Sequence, residues 1–532
     1  MAGAAPHLQG SRLVQDTFRG PFADGPPASA LHVDEPPLVA FRPVDIWRSI
    51  VVVTVLSWSM LAALAGRLVR RRRTPLVQTA CDGLVDGFIR LGPTFVKAGQ
   101  IIASSGGMFP PVLATAARRC LDEVPPFPTE QVHAAVESDL GAPVEEVFAS
   151  FDDRPLSAAS IGQVHACTLR DGRIAVVKIQ RPGIRDQMAA DLRNMYRIAA
   201  VIEWTPWGRT SGARGVIRDL HGVTFRELNP ALEAHQQQVF RDNISAFGDN
   251  TMITAPEVYW DHCGPQTICM ERVAGVPMDH FDTLVERGMD GQSILRRGAK
   301  VWAEAAMVHG PFHGDMHAGN IWALDDGRGC YLDFGIMGEL SPEWRSVLKD
   351  LFYTCAFDLD FTRVARAYRA VGAIPADMGS DEELGAFLNM VLGPMLTDGF
   401  GSIDVAALVA QSLEMLKTYK ASVPQELALI AKQLLYIDRF TKFLAPEYSV
   451  TSDPYIVQNI FPEEAAAKAA ELGVVLDDTA PAFVAGGRRA VDLTGTGSAP
   501  RPDGGVVDGG VVEGDVVDAD VVDGVVGGAV EG

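Results

Sequence analysis

The sequence predicts an α+β protein in which a small, sheet-containing part precedes a larger helical part, with a helical extension before both. Three observations lead to this fold class. Short β-rich runs and a D-G turn, which are typical of a hairpin, follow residue 144. Beyond residue 278, apolar residues recur mainly at helical spacing up to about residue 448. The same spacing, broken at Gly92-Pro93, predicts two helices in the extension.

The start of the chain precedes these elements and is predicted to be disordered. Its first 45 residues are rich in Pro, Ala and Gly, a composition that does not build a core. No cleavable signal peptide is expected, because the first apolar run begins only at residue 49, well after the start of the chain.

That apolar run covers residues 49–66, and arginines follow it at positions 67 and 70–73. Its 18 residues are the lower bound for crossing the hydrocarbon core of a bilayer, and they include serine and threonine. Three interpretations stay open: a single membrane span, a helix docked on the membrane, and a buried core helix. If the run spans, its arginines place the larger, C-terminal part of the chain in the cytoplasm.

Composition argues against some classes of function. The net charge of -21 disfavours a nucleic-acid partner, because a phosphate-binding surface needs a clustered basic face. Part of the acidity comes from Val-Val-acid-Gly repeats after residue 492, whose low complexity predicts a disordered tail. The seven cysteines form no CxxC pair, so we expect unpaired buried thiols in a reduced, intracellular setting.

Two short stretches carry the candidate chemistry, "FHGDMHAGN" at 312–320 and "YLDFG" at 331–335. Transfer of a γ-phosphoryl group needs metal ions, a cation on the phosphates and an orienting carboxylate. Asp315 is predicted to orient or deprotonate a hydroxyl, and Asn320 and Asp333 are predicted to hold magnesium through oxygen atoms. The alternative is structural: Asp315 would cap a helix and Asp333 would close a turn.

The order and spacing of these residues match the protein-kinase catalytic loop and its DFG segment, in which His313 would brace the backbone. A kinase site also requires a strand lysine paired with a glutamate on a helix. Lys178 in "IAVVKIQRP" follows a D-G turn, and Glu227 and Glu233 lie on the helical stretch that comes later. The predicted fold is therefore bilobal and protein-kinase-like, with a ligand cleft between a small N-lobe and a helical C-lobe.

The glycine-rich loop of ordinary kinases is missing before the strand lysine, and "PLSAASIGQVH" at 155–165 stands in its place. Alanine restricts φ more than glycine does, so this turn should close differently over phosphates. With this loop, residues 84–370 resemble the UbiB/ADCK family of atypical kinase-like proteins, the AarF-like group tied to isoprenoid quinone metabolism. "LGPTFVKAGQ" resembles the KxGQ segment of that family, and "VVK", "LEAHQQQ" and "LDFG" resemble its strand-lysine, helix-glutamate and metal segments.

The resemblance implies a role for the helical extension. In the family, the KxGQ helix folds across the cleft where a protein substrate would otherwise bind, and its lysine meets an ExD motif. Carried over to this chain, Lys97 would face Glu227, with Gly99 and Gln100 on the same occluding helix. The third ExD position is Asn229 here, so one carboxylate of that contact is absent.

The residues and the resemblance together assign a candidate site. Its members fall into catalytic, ATP-binding, metal-binding and substrate-occluding sets. These are Asp315, Lys178 and Glu233 for catalysis; Ala158, Ala159, Ser160, Ile161, Gly162, Lys178 and Glu271 for ATP; Asn320 and Asp333 for metal; and Lys97, Gly99, Gln100 and Glu227 for occlusion.

The chain is accordingly divided into six predicted parts. They are a disordered start at 1–45, a hydrophobic membrane-associated helix with its arginine cluster at 46–73, a helical KxGQ extension at 74–140, a kinase-like N-lobe at 141–277, a helical C-lobe at 278–455, and a linker with a low-complexity acidic tail at 456–532. The cleft between the two lobes is where the candidate site is expected.

The resemblance implies an atypical kinase or ATPase that uses ATP and Mg²⁺ and supports isoprenoid quinone or related lipid biosynthesis. Its expected partners are ATP, membrane lipids or quinone precursors, and biosynthetic enzymes, without nucleic acid. It is expected at a membrane, with the catalytic domain in the cytoplasm. Two alternatives stay open: an aminoglycoside- or choline-phosphotransferase-like small-molecule kinase, whose loop is close to "HGDMHAGN", and a non-catalytic nucleotide-binding scaffold.

Overall fold

The computed structural model describes residues 18–69, 74–104, 109–121, 126–204, 213–246, 250–375, 377, 379–397, 425–444 and 454–472. Within these residues the fold is α+β, with two lobes of the kinase-like type and a helical extension at the N-terminal side, which confirms the predicted fold class. The acidic repeats after residue 492 lie outside the described residues.

The described elements follow the predicted order of helical extension, sheet-containing part and helical part. The helices are α1 (Pro43–Val69), α2 (Leu76–Leu91), α3 (Pro93–Ser104), α4 (Pro111–Ala117), α5 (Thr129–Leu140), α6 (Val144–Val147), α7 (Ile184–Ile202), α8 (Ala213–Glu227), α9 (Pro230–Ala246), α10 (Phe281–Glu286), α11 (Gly291–Glu304), α12 (Pro342–Tyr353), α13 (Phe361–Ala370), α14 (Asp381–Thr397), α15 (Gln425–Leu444), α16 (Pro454–Ile460) and α17 (Pro462–Leu472). The strands are β1 (Ser150–Phe151), β2 (Ser157–Ala158), β3 (Gly162–Thr168), β4 (Ile174–Gln180), β5 (Ile253–Thr254), β6 (Thr267–Glu271), β7 (Gly275–Pro277), β8 (Phe312–His313), β9 (Ile321–Leu324), β10 (Gly329–Tyr331) and β11 (Met337–Gly338).

The N-lobe is built on a five-stranded antiparallel sheet. β1, β3, β4 and β6 lie side by side in that order, and β2 pairs with β3. Side chains alternate between the two faces of a strand, and Ala175, Val177 and Ile179 of β4 are fully buried on one face. Lys178 therefore projects from the opposite face, in register with Val164 of β3.

Helix α9 connects the cores of the two lobes. Its first half contributes Ala231 and Ala234 to the apolar cluster beneath the N-lobe sheet. Its second half contributes Phe240 and Ile244 to the large apolar cluster of the C-lobe. Because both halves are packed, a side chain on α9 near residue 233 is held at the junction of the lobes.

The C-lobe core is mainly helical. α11 packs against α15 and α16, and it also covers β5 and β10 of a four-stranded sheet. That sheet has the order β5-β10-β9-β7, with β5 and β10 parallel and the other pairs antiparallel. Helix α11 starts at a side-chain cap, in which Asp290 accepts a hydrogen bond from the backbone N–H of Ser293 at 2.9 Å.

The C-lobe extends further than the sequence predicted. A linker was expected from residue 456, but α16 and α17 cover residues 454–472. Ile456 and Val457 are fully buried in the C-lobe core. The prediction is wrong over these residues because α16 has only seven residues, too few for a helical period to be recognised in the sequence.

The prediction of disorder at the start of the chain is wrong for residues 18–45. The backbone N–H of Gly20 donates to the carbonyl of Asp261 at 2.7 Å, and that of Phe22 donates to the carbonyl of Cys263 at 3.3 Å. Phe22 is buried in the N-lobe core. Composition misleads here because this segment is ordered by backbone hydrogen bonds to the N-lobe and by apolar side chains, such as Phe22 and Val33, that pack on clusters of the folded domain.

Helices α1 and α2 pack antiparallel with a close approach of their backbones. A Cβ atom at Gly83 would lie 2.9 Å from the Cα of Met60, and one at Gly87 would lie 2.8 Å from the Cδ2 of Leu56. These distances are too short for a larger residue, so the two glycines, four positions apart on α2, allow the close packing. Helix α1 also packs against α7 of the N-lobe, as does α3.

The outer face of α1 is apolar and exposed. We call Trp47, Ile50, Trp58, Leu61 and Leu68 the apolar stripe, and each of these side chains is more than half exposed. Only 11% of the most apolar 18-residue window of α1 is buried, and the helix is long and apolar enough to cross a membrane. The interpretation of this run as a buried core helix is therefore wrong.

The first turns of α1 carry a buried ionic network in place of apolar contacts. The Asp45 carboxylate binds Arg193 of α7 at 2.7 Å, and Arg48 binds Asp191 of α7 at 2.6 Å. The hydroxyl of Thr94 in α3 donates to Asp191 at 2.9 Å. Asp191 thus joins the start of α1 to the KxGQ helix α3.

The cysteines that the structure describes are unpaired, as the sequence predicts. Free thiols occur at Cys81, Cys120, Cys167, Cys263, Cys269 and Cys330. Burial raises the pKa of Cys263 and of Cys330 to about 12. These two thiols are therefore protonated and unreactive at neutral pH.

Candidate active site

A largely buried ion pair forms the N-lobe side of the site. Lys178 Nζ lies 2.6 Å from Glu233 Oε1, and the two side chains are 18% and 4% exposed. The β4 strand presents the lysine, and the doubly anchored α9 presents the glutamate. Lys178 Nζ also lies 3.8 Å from Asp333 Oδ2 of the C-lobe. Three of the predicted site residues, far apart in sequence, therefore converge.

Lys178 and the Asp333 carboxylate favour each other's charged form, whereas burial raises the pKa of Glu233. Burial alone disfavours the charged form of Lys178, but the carboxylates of Asp333 and Glu233 outweigh it and hold the pKa of Lys178 above its ordinary value. Lys178 in turn lowers the pKa of Asp333. At neutral pH the site therefore presents an ammonium group beside a carboxylate, a pair that suits a phosphate and its metal ion.

His313 ties the catalytic loop to the DFG segment. Its Nε2 donates to the backbone carbonyls of Leu332 and Asp333, both at 3.0 Å, and its Nδ1 accepts from the backbone N–H of Asp315 at 3.2 Å. Burial lowers the pKa of His313. The ring is therefore neutral with its proton on Nε2, and this geometry matches the bracing role suggested by the sequence.

Asp333 has a backbone conformation that non-glycine residues rarely adopt. Its φ is 55°, in the left-handed region. Its Oδ1 accepts a hydrogen bond from the backbone N–H of Gly335 at 3.2 Å, and its side chain is 54% exposed. Backbone strain of this kind is common at functional sites, where the surroundings hold a residue in place.

The donor atoms at the site fit magnesium. The amide Nδ2 of Asn320 donates to the carbonyl of Asp315 at 3.0 Å, so Oδ1 is the atom left to coordinate a metal. Oδ1 of Asn320 and the Asp333 carboxylate are hard oxygen donors. No cluster of three or more His, Cys, Asp or Glu side chains able to hold a metal occurs in the described part of the chain. Mg²⁺ needs none, because it commonly takes one or two protein oxygens together with substrate phosphates.

The Asp315 carboxylate has a basic side chain near each oxygen, but only one of these is within hydrogen-bond distance. Lys432 Nζ of α15 lies 2.6 Å from Oδ1, and His317 Nε2 lies 3.8 Å from Oδ2. The Asp315 side chain is 20% exposed and that of Lys432 is 43% exposed. The predicted catalytic carboxylate is therefore accessible and has a fixed cationic neighbour.

Gln433, the next residue of α15, holds the backbone on either side of Asp315. Its Nε2 donates to the carbonyl of Gly314 at 2.6 Å, and its Oε1 accepts from the N–H of Met316 at 2.7 Å. The side chain is fully buried. Two consecutive residues of α15 thus contact the candidate catalytic loop.

The alanine-rich loop forms the turn between β2 and β3. The backbone N–H of Ala159 donates to the carbonyl of Gly162 at 2.8 Å. A Cβ atom at Gly162 would lie 2.5 Å from the carbonyl oxygen of Ile179, so only glycine fits there. Ile161 is buried in an apolar cluster against which α3 also packs. The Ile161 side chain therefore anchors the loop, and Ala158, Ala159 and Ser160 form its more open part.

Lys97 of α3 forms an ion pair with Glu227 at the end of α8, as the resemblance implies. Its side chain is 13% exposed. Burial lowers the pKa of Lys97 to about 8, although the carboxylates of Asp333 and Asp315 favour its charged form. The charge state of Lys97 therefore depends on Asp315 and Asp333 as well as on burial.

The structure differs from the expectation for Gly99 and Gln100. A Cβ atom at Gly99 would lie 2.4 Å from Cys120 Sγ, and Gln100 Nε2 donates to the carbonyl of Cys120 at 3.0 Å. These two residues fix α3 to the turn at 118–121, and their part in occluding the cleft stays a prediction. Two positions along a helix correspond to a rotation of about 200°, so Gly99 cannot share the face of Lys97.

Asn229, at the third ExD position, binds the N-terminal segment. Its Nδ2 donates to the carbonyl of Ala30 at 2.9 Å, and its Oδ1 accepts from the N–H of Leu232 at 3.1 Å. The lost carboxylate is therefore replaced by an attachment point for residues 18–42. The contact with Lys97 is made by Glu227.

Glu271 ends β6, next to the segment that links the two lobes. Its carboxylate accepts from the backbone N–H of Glu257 at 3.2 Å and lies 3.7 Å from Arg241. These contacts engage the side chain within the protein, and ATP binding by Glu271 stays a prediction.

Sequence reasoning missed Lys432 and Gln433. They lie outside every motif, and Lys432 follows Asp315 by 117 positions. A lysine next to a glutamine on an amphipathic helix is an ordinary surface pattern. No signal in a single sequence singles them out.

The two lobes, the converging lysine and carboxylates, and the loop braced by His313 define a kinase-like protein. Comparison with known proteins agrees with this class. The family model for the ABC1 atypical kinase-like domain matches residues 119–368. The chain belongs to this ABC1 atypical kinase-like family, in which relatives carry the names UbiB and aarF domain-containing kinase.

Three relatives illustrate the similarity. An uncharacterised protein of Mycobacterium tuberculosis is 37% identical over 72% of this chain and 79% of its own length. An uncharacterised, chloroplastic aarF domain-containing protein kinase of Arabidopsis thaliana is 31% identical over 69% and 73%. A probable protein kinase UbiB of Erwinia tasmaniensis is 32% identical over 69% and 68%. A solved structure of a Mycobacterium tuberculosis protein with erythromycin covers 60% of this chain and 80% of that one, with 26% identity and a TM-score of 0.43.

Proposed function

We propose that this protein is an ATP- and Mg²⁺-dependent atypical kinase or ATPase that works beside a membrane in isoprenoid quinone or related lipid biosynthesis. One observation carries the proposal: Lys178 contacts Glu233 at 2.6 Å and Asp333 at 3.8 Å. A buried cation and a metal-binding type of carboxylate thus meet between the lobes, as phosphoryl transfer requires.

Each group of the site has a distinct role in this proposal. Lys178 binds the nucleotide phosphates, and Glu233 keeps its side chain in place. Asn320 and Asp333 hold Mg²⁺, which neutralises charge on the transferring phosphoryl group when bound with ATP. Asp315 orients the attacking hydroxyl or water and accepts its proton.

The acceptor is proposed to be a small molecule or water. The pair of Lys97 and Glu227 holds α3 beside the DFG segment, because a Cβ atom at Gly335 would lie 3.7 Å from the Cγ of Glu227, and this position would restrict the access of a peptide chain. The resemblance to UbiB proteins supports a quinone precursor or a related lipid as the acceptor. The first alternative, an aminoglycoside-type kinase, differs from this proposal in its acceptor. The second, a nucleotide-binding scaffold, differs in that it does not turn over ATP.

Thermal unfolding with and without Mg-ATP tests the nucleotide site. Mg-ATP is expected to raise the Tm of the parent protein, because a ligand that binds only the folded state stabilises it. Asp333→Asn should abolish this shift. Asp325→Asn is a matched control, because the Asp325 side chain is also 54% exposed but pairs with Arg287. Equal shifts in Asp333→Asn and the parent would remove the metal assignment.

Turnover then separates an enzyme from a scaffold. Purified protein with Mg-ATP should release inorganic phosphate, and quinone-like phenols should raise the rate. Asp315→Asn should lower turnover by about 100-fold while the Tm shift with Mg-ATP stays. A protein that binds Mg-ATP with no turnover under any of these conditions would be a scaffold.

We propose that α1 lies along the membrane surface and does not cross it. Helix α2 packs along α1 through Gly83 and Gly87 and carries Asp82 and Asp86, which a spanning pair would take into hydrocarbon. The apolar stripe on the outer face would enter the acyl boundary, with Arg67 at anionic headgroups.

Flotation with anionic liposomes tests this orientation. Trp58→Glu together with Leu61→Glu should release the protein from the vesicles, because it breaks the centre of the stripe. Val201→Glu is the control, an exposed apolar residue on α7. Single cysteines placed at Arg42 and Thr74 of vesicle-bound protein should both react with a membrane-impermeant reagent. Labelling of only one end would indicate a span.

A further inference from the structure

We infer that α15, which lies beyond the matched ABC1 region, is part of the active site, and that Lys432 is a positioning residue for Asp315. The inference rests on the proposed function, because Asp315 needs positioning only if phosphoryl transfer takes place. The matched region ends at residue 368, whereas α15 begins at Gln425. The motif-bearing region would then be incomplete without this later helix.

The contact of Lys432 with Asp315 is direct and one-sided. Lys432 Nζ lies 2.6 Å from Oδ1, which is the length of a strong charge-assisted hydrogen bond. Within the described part of the chain, the basic group within 4.0 Å of Oδ2 is His317 Nε2, at 3.8 Å. One oxygen is therefore held while the other stays available to a hydroxyl or water that gives up its proton.

The groups that face Asp315 come from three places in the fold. His313 and His317 belong to the catalytic loop itself, and Lys97 lies on α3, where the Asp315 carboxylate raises its pKa against the effect of burial. Lys432 and Tyr436 come from α15, and the Lys432 ammonium lies 5.7 Å from the Tyr436 ring centre. Among the described residues, Lys432 and His317 are the basic side chains within 4.0 Å of the Asp315 carboxylate.

Whereas Lys432 contacts the Asp315 carboxylate, Gln433 fixes the backbone on either side of Asp315. It binds the carbonyl of Gly314 and the N–H of Met316, so α15 holds the loop immediately before and after Asp315. A carboxylate fixed in this way is already oriented when the acceptor arrives. Orientation of a reacting group can account for large rate factors, and a misplacement of about 1 Å can lower a rate by about 100-fold.

A plain surface ion pair is the competing explanation, and α15 contains a control for it. Lys442, on the same helix, binds Asp438 at 2.8 Å, and its side chain is 42% exposed against 43% for Lys432. The two lysines therefore share helix, exposure and a carboxylate partner. They differ in the partner, because Asp315 belongs to the catalytic loop, whereas Asp438 lies one turn away on α15 itself.

Steady-state ATP turnover with Mg²⁺ tests the inference in Lys432→Met, Lys432→Arg and Lys442→Met. Lys432→Met should lower kcat about 10- to 100-fold with the KM for ATP within about twofold of the parent value. Lys432→Arg should restore much of kcat, because it keeps the positive charge, and Lys442→Met should match the parent. A Lys432→Met enzyme with parental kcat, or one with unchanged kcat and a raised KM, would overturn the positioning role.

A second measurement tests the contact without turnover. Acylation by an amine-reactive ester, quantified by mass spectrometry, is slow at a lysine held in an ion pair because the reagent needs the neutral amine. Asp315→Asn should speed labelling of Lys432 several-fold and leave Lys442 unchanged, whereas Asp438→Asn should do the reverse. Equal labelling of Lys432 in Asp315→Asn and parent protein would contradict the contact. Absence of ATP turnover in the parent would instead reject the proposed function, with the labelling result still standing.

Discussion

Two ion pairs of equal length lie on opposite sides of the candidate site. Lys178 and Glu233 are 2.6 Å apart on the N-lobe side, and Lys432 and Asp315 are 2.6 Å apart on the C-lobe side. The first pair is 18% and 4% exposed, whereas the second is 43% and 20% exposed. Distance alone therefore does not distinguish them, but burial does.

Because the two ion pairs differ in burial, we expect their removal to have different effects on stability and on activity. Removing one partner of a buried pair leaves an uncompensated charge in a medium of low polarity, which destabilises the fold strongly. Removing one partner of a half-exposed pair leaves a charge that water can solvate, so stability changes little. We expect the first pair to support both the fold and the nucleotide site, and the second to act mainly on chemistry.

The largest expected effect on stability is in the buried pair. Lys178→Met should lower the free energy of unfolding by about 3 to 5 kcal/mol, because it strands the Glu233 carboxylate. It should also abolish the Tm shift with Mg-ATP. Urea unfolding followed by fluorescence measures the change. A free energy of unfolding for Lys178→Met within about 1 kcal/mol of the parent value would contradict this comparison.

A third, still more buried pair extends the comparison to pH. Asp45 and Arg193 are 1% and 2% exposed. Burial alone raises the pKa of Asp45, but hydrogen bonds from Arg193 and Arg197 outweigh it and lower the pKa to about 2. A depressed carboxyl pKa adds stability above the unfolded value, so this contribution is present at neutral pH. It is lost as the pH falls from about 4 to about 2.

The expected loss from Asp45 in acid is about 2 kcal/mol. Asp45→Asn should remove this part of the acid dependence, so that its stability, already lower at pH 7, declines less between pH 4 and pH 2. Unfolding by urea across this pH range gives the comparison. Parallel stability curves for Asp45→Asn and the parent would show that the carboxylate does not titrate with folding.

The close packing of α1 against α2 gives a test of buried and exposed positions that does not involve charge. Gly83→Ala should destabilise by about 1 to 3 kcal/mol, because the new Cβ would lie 2.9 Å from the Cα of Met60 and from the Cβ of Ala63. Gly66→Ala on α1 is the control, because a Cβ atom there meets nothing within 4 Å. Alanine at that helical position should stabilise by about 0.5 to 1 kcal/mol. Equal Tm values for the two variants would mean that α1 and α2 do not approach this closely.

The smallest expected change in stability belongs to Lys432→Met. Its unfolding free energy should stay within about 1 kcal/mol of the parent, as for most exposed ion pairs. The same variant is expected to lose most of its turnover, so the two measurements together isolate its role. A large loss of stability would make Lys432 a structural residue and erase the contrast with Lys178.

Much of the site was readable from the sequence. Lys178, Asp315 and Asp333 were predicted from motif order and spacing, and the structure brings Lys178 and Asp333 within 3.8 Å. Glu233 was one of two candidates on the helical stretch, and the structure pairs it with Lys178 while Glu227 binds Lys97. The spacing within each motif is enough to predict these residues because each motif determines the backbone conformation of a single turn or strand.

Other features depended on contacts that no local pattern encodes. The Pro-rich composition of residues 18–45 indicated disorder, yet backbone hydrogen bonds to the N-lobe order this segment. Gly99 and Gln100 share a motif with Lys97, yet both contact Cys120. These contacts depend on the position of the turn at 118–121, which the motif does not encode. The burial of Ile456 likewise depends on where α16 meets the C-lobe core.

The amino-acid sequence by itself determined the kind of protein: a strand lysine, a braced loop and a DFG segment in kinase order, with one apolar helix ahead of them. Only the tertiary structure decided that α15 returns to Asp315 and that α1 turns an apolar face outward beside α2. The physical reason is range. Motifs and periodicities report interactions over a few turns of chain. The contact of α15 with Asp315 joins residues more than a hundred positions apart, and the exposed face of α1 depends on which helices pack against its other face.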